Sequence, residues 1–527
     1  MITHNRTWLI LLAKITLLTA WSSTAAVAAE RIVLGWHAEE EIAWPAPQPS
    51  SLSALVSRPL LALADDTKLR CELCAELPTA VDQSFTLELT GTWGDGERLD
   101  AEDIRLGWLW ATRHATSTAT KNLLGRIRSI HREGRFGVKF TFDGPAEMAA
   151  QALTHVWPLR SLRVEVGPLP ARRQGIAADL DYQIASMERN RTDAKWYLGP
   201  YRLTAVPTPK RWLLTDAAGR EIEVRFYRNA DSLRQRFADG AIDVIPDDGF
   251  DIQQTVDMKR DELNADTFVS GRTHRFEHLD FNLRNPLLVD RRVRVALGLA
   301  IDRQSFDVYG TIQDTPHLLS THAWHPHDAD KARDILENAG WKLGEDGIRT
   351  RDGELLTLTL SYPDGHAERA HISQSIAEMW TAIGVKVEVE AIPADRFLSS
   401  HVRKVLFRGA ALYSWELTPK AIPMSGFHSR AIPLAQNDYV GQNVSSWQNR
   451  QVDELLDTWA KTGEDQSEAW QQLYMEDVPQ VPLFVWHRTS LVNSRMRGVQ
   501  YTSTNEPLTH SVTQWSKSTT EKGVALP

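Results

Sequence analysis

LDFNLRNPLLVDRRVRVALGLAIDR, residues 279–303, carries five arginines in a chain whose formal net charge is -9. Leu279, Phe281 and Leu283 alternate as one face of a strand, and Asn285-Pro286 turns the chain. Asp290 then stands where it can cap a helix that buries Val293, Leu297, Ala300 and Ile301. The arginines fall largely off that apolar stripe. Their expected role is a solvated helix face with local acidic partners such as Asp280 and Asp302, in preference to an anion site.

The segments around this unit repeat its alternation of strand and helix. Asp231 is a candidate N-cap for a helix with Leu233 and Phe237 on one face, stopped by Gly240 and followed by the strand AIDVIP. Asp330 is a candidate cap for DKARDILENAG, where Ala332, Ile335, Leu336 and Ala339 recur at helical spacing before Gly340. GELLTLTLSYP reads as a strand. HISQSIAEMWTAIG reads as a helix burying Ile372, Ile376, Met379 and Ile383. VKVEVEAI, with Val385, Val387 and Val389 alternating with charge, reads as the next strand, so the three make a βαβ unit.

With 527 residues the chain exceeds what one hydrophobic core supports, and two or three structural units are expected. The acidic balance gives no long-range attraction to nucleic acid or to an anionic membrane. Of the 19 tryptophans most are expected in cores, with a few free to line a pocket. The start reads as an export signal: His4 and Arg6, the apolar run WLILLAKITLLTAW interrupted by Lys14, then small residues ending Ala26-Val27-Ala28, with cleavage expected after Ala28 and a retained anchor as the alternative. No cysteine follows that run to take a lipid, and no later segment is long and apolar enough to span a bilayer. Cys71 and Cys74, in LRCELCAELP, suit a small local disulfide in an oxidising compartment; free thiols are the alternative, and neither a thioredoxin-like context nor further zinc ligands stand nearby.

Several stretches, in order, resemble the large extracellular solute-binding proteins of peptide, nickel and related ABC importers, the family 5 class. WGDGERLDAEDIRLGW is similar to the family's W-x-DG-x-P segment, with Arg98 in place of the usual proline. LGPYRL, RQRFADGAIDV and the 279–303 stretch follow, and then KARDILENAGW, IAEMWTAIGVKVEV, WQNRQVDELLD and VPLFVW. The resemblance implies an α/β, two-lobed periplasmic-binding-protein-like fold of the class II type, with paired hinge strands and an extra inserted domain. It places lobe I at 29–55, 196–276 and 480–527, the inserted domain at 56–195, lobe II at 277–479, and the signal peptide at 1–28.

The function so implied is capture of a peptide or peptide-like solute between the lobes, with hinge closure and delivery to an ABC permease by a monomer that needs no cofactor. A sensor of the same fold without transport, and a binder of a metal chelate, opine or oligosaccharide, are the alternatives. An exported hydrolase is a remote one, because no G-x-S-x-G, H-E-x-x-H, Walker or G-x-G-x-x-G motif occurs and HAERAH (366–371) has only a superficial likeness to a zinc helix. His322, His325 and His327 in THAWHPHD read as a loop, not a metal site, for want of a fourth ligand. In the family's peptide binders a segment like LYSWELTPKAIP (412–423) lies at the cleft, with a tryptophan followed three residues on by an aspartate that pairs with the peptide's amino group. Trp415 matches the tryptophan, whereas Thr418 replaces the aspartate and cannot supply its charge. The expected ligand residues are therefore Trp415, Tyr413, Glu416, Thr418 and Asn282, with Glu416 as the substitute carboxylate.

Overall fold

The computed structural model describes residues 31–38, 50–63, 68–77, 83–115, 118–143, 150–161, 175–250, 256, 268–311, 326–416, 422–502 and 506–518. One large mixed sheet organises them. Its strands are β1 (Ile32–His37), β2 (Tyr201–Thr208), β3 (Arg211–Asp216), β4 (Glu221–Tyr227), β5 (Val244–Ile245), β6 (Phe268–Phe281), β7 (Gly310–Thr311), β8 (Thr357–Pro363), β9 (Lys386–Ile392), β10 (Ala410–Glu416) and β11 (Gln480–Val492). They lie in the order β9-β8-β10-β6-β11-β5-β1-β4-β3-β2, with β7 beside β11.

The three largest hydrophobic cores among the described residues divide around this sheet and beside it. Leu34, Tyr201, Trp212, Val224 and Val244 pack with Leu508 and Trp515 in lobe I. Leu279, Phe281, Val293, Leu297, Trp341, Leu360, Ile372, Trp380 and Leu412 pack in lobe II. A separate three-stranded sheet, Ser84–Glu88, Gly137–Phe142 and Ile127–Glu133, carries Leu87, Val138, Phe140 and Phe142 into a third core with Trp93 and Ile104. This is the mixed α/β, two-lobed architecture with an additional unit.

The helix that follows β6 spans Arg291–Ala300 and is capped by Asp290, whose side chain accepts from the Arg292 amide. Arg291 and Arg292 are exposed as expected, Arg292 paired with Asp290 at 2.8 Å, whereas Arg294, and Arg303 beyond the helix, depart from the solvated face. Arg294 and Arg303 are buried. Arg294 donates to the carbonyls of Leu288 (2.7 Å), Val289 (3.0 Å), Asp477 (2.9 Å) and Val478 (3.1 Å). Arg303 donates to the Pro482 carbonyl at 2.7 Å. Each guanidinium thus donates to backbone carbonyls inside the fold instead of to water. Asp280 is not an arginine partner either: it is buried and bound to His278, Tyr413 and Gln480.

Two other helices begin earlier than Asp231 and Asp330 suggest. Asn229 caps Ala230–Ala238 and Asp328 caps Ala329–Asn338, because each carries its acceptor oxygen to the third amide of the first turn. The helix predicted from HISQSIAEMWTAIG spans Ala367–Thr381, so it starts inside HAERAH. It buries Ile372, Ile376 and Trp380, while Ile383 is buried beyond its end. β9 closes the sheet at its edge, which leaves Val389 exposed despite the clean alternation. No helix among the described residues is long and apolar enough to cross a membrane.

Candidate ligand cleft

Strand direction locates the cleft without reference to any side chain. β10 runs antiparallel to β6, from Ala410 opposite Phe281 to Glu416 opposite Arg275, and β8 and β9 run parallel to β10 and to each other. In lobe I, β1 is parallel to β4 and β5, and β5 meets β11 with Val244 opposite Val492 and Ile245 opposite Leu491. The parallel strands of both lobes therefore aim their carboxyl ends at the middle of β6 and β11, from opposite sides. In open α/β sheets ligands sit beyond those ends.

At that middle the ladder is interrupted. Arg272 pairs with His487 and Phe276 with Val485, so residues 273–275 face only Trp486. This is a bulge, which bends a strand and raises its twist. Thr273 fastens it: its hydroxyl donates to the Trp486 carbonyl (2.6 Å) and accepts from the Arg275 amide (3.1 Å).

On the lobe II side of the bulge, Glu277 is fully buried. It accepts from Arg369 Nε (2.8 Å) and Nη2 (3.2 Å), from Trp486 Nε1 (2.8 Å) and from the Ser414 hydroxyl. Burial alone would push this carboxyl up, but the charge and the two-pronged contact of Arg369, with the Ser414 bond, hold it below the usual range. Arg275 lies on the same face, its guanidinium 5.3 Å from the Trp486 ring centre and its Nε donating to Ser414 Oγ at 3.2 Å.

On the lobe I side, Asp248 follows β5. It keeps solvent-exposed surface, yet its carboxylate points inward, accepting from Trp36 Nε1 (3.1 Å) and from the Ser51 amide (2.9 Å). Desolvation, and then the charge of neighbouring Asp247, push it up to about 7. Tyr501 shares a 2.8 Å hydrogen bond with Ser490, and the Arg488 guanidinium sits 4.3 Å from its ring centre. That ring lies against β6 at Gly271, where an added Cβ would come within 2.6 Å of it.

The expected ligand residues separate in this frame. Trp415, on the cleft-side end of β10, is half-buried; Gly426 underlies it so closely that a Cβ there would meet the indole at 2.7 Å. Its ring centre is 5.0 Å from His278 and 6.3 Å from Tyr413. Tyr413 is buried beneath it with its hydroxyl donating to Asp280. Asn282 stands past the opposite end of β6, its amide donating to the Phe407 carbonyl (2.7 Å) and accepting from the Arg284 amide (3.0 Å). Seven steps along the chain separate it from Arg275, roughly 23 Å at the usual rise. The Glu416 backbone lies opposite Arg275; its side chain and all of Thr418 fall outside the described residues, as do His322 and His325. His327 is exposed. Sequence reading missed Glu277, Arg369, Asp248 and Arg488, which no spacing motif links.

Cys71 and Cys74 form a disulfide, with Cα atoms 5.2 Å apart. Between them Glu72 joins Glu506 and His510 in bringing three potential metal-ligating atoms within 4.8 Å. Arg70 already occupies that space: it donates to Glu72 (2.8 Å), to Glu506 and to His510 Nε2 (3.1 Å). His510 Nε2 is thereby an acceptor, so its approaches of 3.5 and 3.6 Å to the two carboxylates are not ion pairs. Desolvation, and then the charges of Arg58 and Arg70, push this histidine down to about 3.

Two α/β lobes that share one sheet, turn the ends of their parallel strands toward each other and are crossed by two long antiparallel strands define a two-lobed solute-binding fold. Residues 83–415 match the model of the middle region of the bacterial extracellular solute-binding proteins, family 5, and the chain belongs to that family. The oligopeptide-binding protein AppA of Bacillus subtilis is 25% identical over 274 residues, 48% of this chain and 49% of AppA, so about half the length of that relative is spanned. Its solved structure, in complex with a nonapeptide, superposes with a TM-score of 0.59 at 17% identity, covering 93% of this chain and 99% of that one. NikZ from Campylobacter jejuni, solved with Ni(L-His), gives a TM-score of 0.62 at 20% identity, covering 92% of this chain and 99% of the other.

Proposed function

We propose that the chain is the exported solute-capturing component of an ABC importer: its two lobes close over a peptide or peptide-like solute and the closed form presents it to a membrane permease, with no chemical step. The observation that carries this reading is the convergence of parallel-strand ends from both lobes on the bulged middle of β6 and β11. Only a solute with higher affinity for the closed state drives closure. The family membership and the nonapeptide complex of AppA support a peptide-like cargo. We assign lobe I to 29–55, 196–276 and 480–527, an inserted domain to 56–195, lobe II to 277–479 and a removed signal to 1–28. The core of Leu87, Val138, Phe140 and Phe142 falls almost wholly within 56–195 and supports the inserted domain, while the lobe I core also draws Leu106, Leu159 and Leu180 from that stretch and the lobe II core draws Val481, Leu483 and Trp486 from β11. Trp415 is the stacking platform, with Glu416 beside it at the mouth. Tyr413 and Asn282 act from underneath and from the far end of the lobe as scaffold.

The test begins with the solute released from denatured, freshly purified protein, identified by mass spectrometry. A mixed di- to pentapeptide library is then titrated into wild type, Trp415→Ala and Glu416→Gln, with scattering to follow compaction. Loss of an aromatic platform is expected to weaken binding about thirtyfold. Tight peptide binding indifferent to both substitutions places the solute elsewhere, and binding without compaction refutes closure.

A further inference from the structure

The Glu277 cluster draws its members from four elements of lobe II and the crossing strands. Glu277 belongs to β6, Ser414 to β10 and Trp486 to β11, while Arg369 comes from the first turn of the Ala367–Thr381 helix. That turn follows the cleft-side end of β8 at Pro363. Arg369 also donates to Ser414 Oγ at 2.9 Å, as does Trp486 Nε1 at 2.9 Å. Every group is therefore shared, and removing either Glu277 or Ser414 costs each of the others at least one hydrogen bond.

The position of this cluster gives it leverage. Glu277 is two residues from Arg275, the end of the bulge, and Trp486 is the single residue opposite the bulge. The same tryptophan offers its carbonyl to Thr273 and its indole N–H to Glu277. The bulge is where the sheet has freedom to bend, and the Glu277 carboxylate ties its lobe II flank to the helix whose first turn borders the cleft.

We infer that Glu277 and Arg369, with Ser414 and Trp486, are a positioning unit that sets the angle between the lobes: they hold the bulge of β6 in one geometry and so determine solute affinity without touching the solute. The inference rests on the reading of the protein as a two-lobed trap. A carboxylate buried on a strand that crosses between lobes is an unfavourable place to store charge unless its partner is fixed. Here the partner is a fork with both prongs engaged, a contact that tolerates little rotation.

The experiment needs no solute. Spin labels at Lys210→Cys on lobe I and Lys331→Cys on lobe II, both exposed positions, report the inter-lobe distance in the full-length ligand-free protein. Glu277→Gln and the milder Ser414→Ala are expected to shift and broaden the distance distribution. Arg369→Lys, which keeps the charge and loses the fork, is expected to fall between them and wild type. Arg294→Met, an equally buried arginine remote from the bulge, is expected to lower the melting temperature and leave the distances unmoved. Folded Glu277→Gln and Ser414→Ala proteins with the wild-type distribution overturn the inference, as does an equal broadening in Arg294→Met. Altered distances in a protein that binds no peptide sink the peptide reading alone; peptide-driven compaction with unaltered distances in the variants sinks the positioning unit alone.

Discussion

Replacing Arg294 by methionine keeps the volume of the side chain and removes its donors. Two opposing quantities decide the outcome. Burial lowers the guanidinium from the ordinary arginine value to about 10, mainly by desolvation, and that displacement is a net penalty of roughly 3 kcal/mol on the charged form relative to the neutral one. Against it stand the bonds to four carbonyls, at Leu288, Val289, Asp477 and Val478. At about 1.5 kcal/mol for a bond with a charged donor, they contribute about 6 kcal/mol. Arg294→Met is therefore expected to destabilise lobe II by about 3 kcal/mol, a fall of about 6–12 °C in its melting transition for a unit of this size. Lysine has three donors on a single nitrogen and cannot span both chain segments, so Arg294→Lys is expected to lie between methionine and wild type. Calorimetry with near-ultraviolet circular dichroism reads the transition. A methionine variant that melts within about 1 °C of wild type, or above it, refutes the reasoning, because it means that desolvation of the charge outweighs the carbonyls it serves.

Two further predictions concern the contact of the Cys71–Cys74 segment with Glu506 and His510. His510 stays neutral in the folded protein down to about pH 3, whereas an unfolded histidine takes a proton below about 6.5, so stability is lost as pH falls through that window and amounts to about 2 kcal/mol by pH 5. Wild type is expected to lose more melting temperature than His510→Gln between pH 7 and pH 5, and parallel curves would count against the assignment. The Cys71–Cys74 bridge closes a very short loop, and the double serine variant is expected to cost about 2 kcal/mol, with no free thiol in exported wild-type protein; two titratable thiols reject that expectation.

The apolar periodicities carried most of the fold. Val293, Leu297 and Ala300 are buried where their spacing puts them, as are Ile372 and Ile376, because a helical stripe records which face a core covers. The helix caps were misplaced by two residues where a second acceptor, Asn229 or Asp328, stood just upstream of the aspartate chosen. The burial of Arg294 and Arg303 was illegible, since beside the local carbonyls of Leu288 and Val289 the acceptors that accommodate them belong to a segment about 180 residues away. The site was the least legible part. Glu277 and Arg369 are brought together across 92 positions of sequence, and Asp248 meets Trp36 across 212. Such contacts follow from sheet order, which local patterns do not encode. Trp415 was found only because the surrounding segment resembles one in known relatives.

The place of β11 between β5 and β6 has a consequence for the order in which the molecule can be built. β5 is complete once Ile245 has been made, but its neighbour on that side is residues 491 and 492. At about 5–20 residues per second, some 250 further residues take roughly 12–50 s to synthesise. Throughout that interval the edge of the lobe I sheet stays bare, and Asp243 waits for Arg495 and Lys517, the cations that neutralise it. Lobe II has no such debt to the C-terminal end beyond residues 480–486, so it can acquire its shape first. The half of the molecule that begins the chain is therefore the last to be finished, since its sheet closes only once residues 491 and 492 have been made.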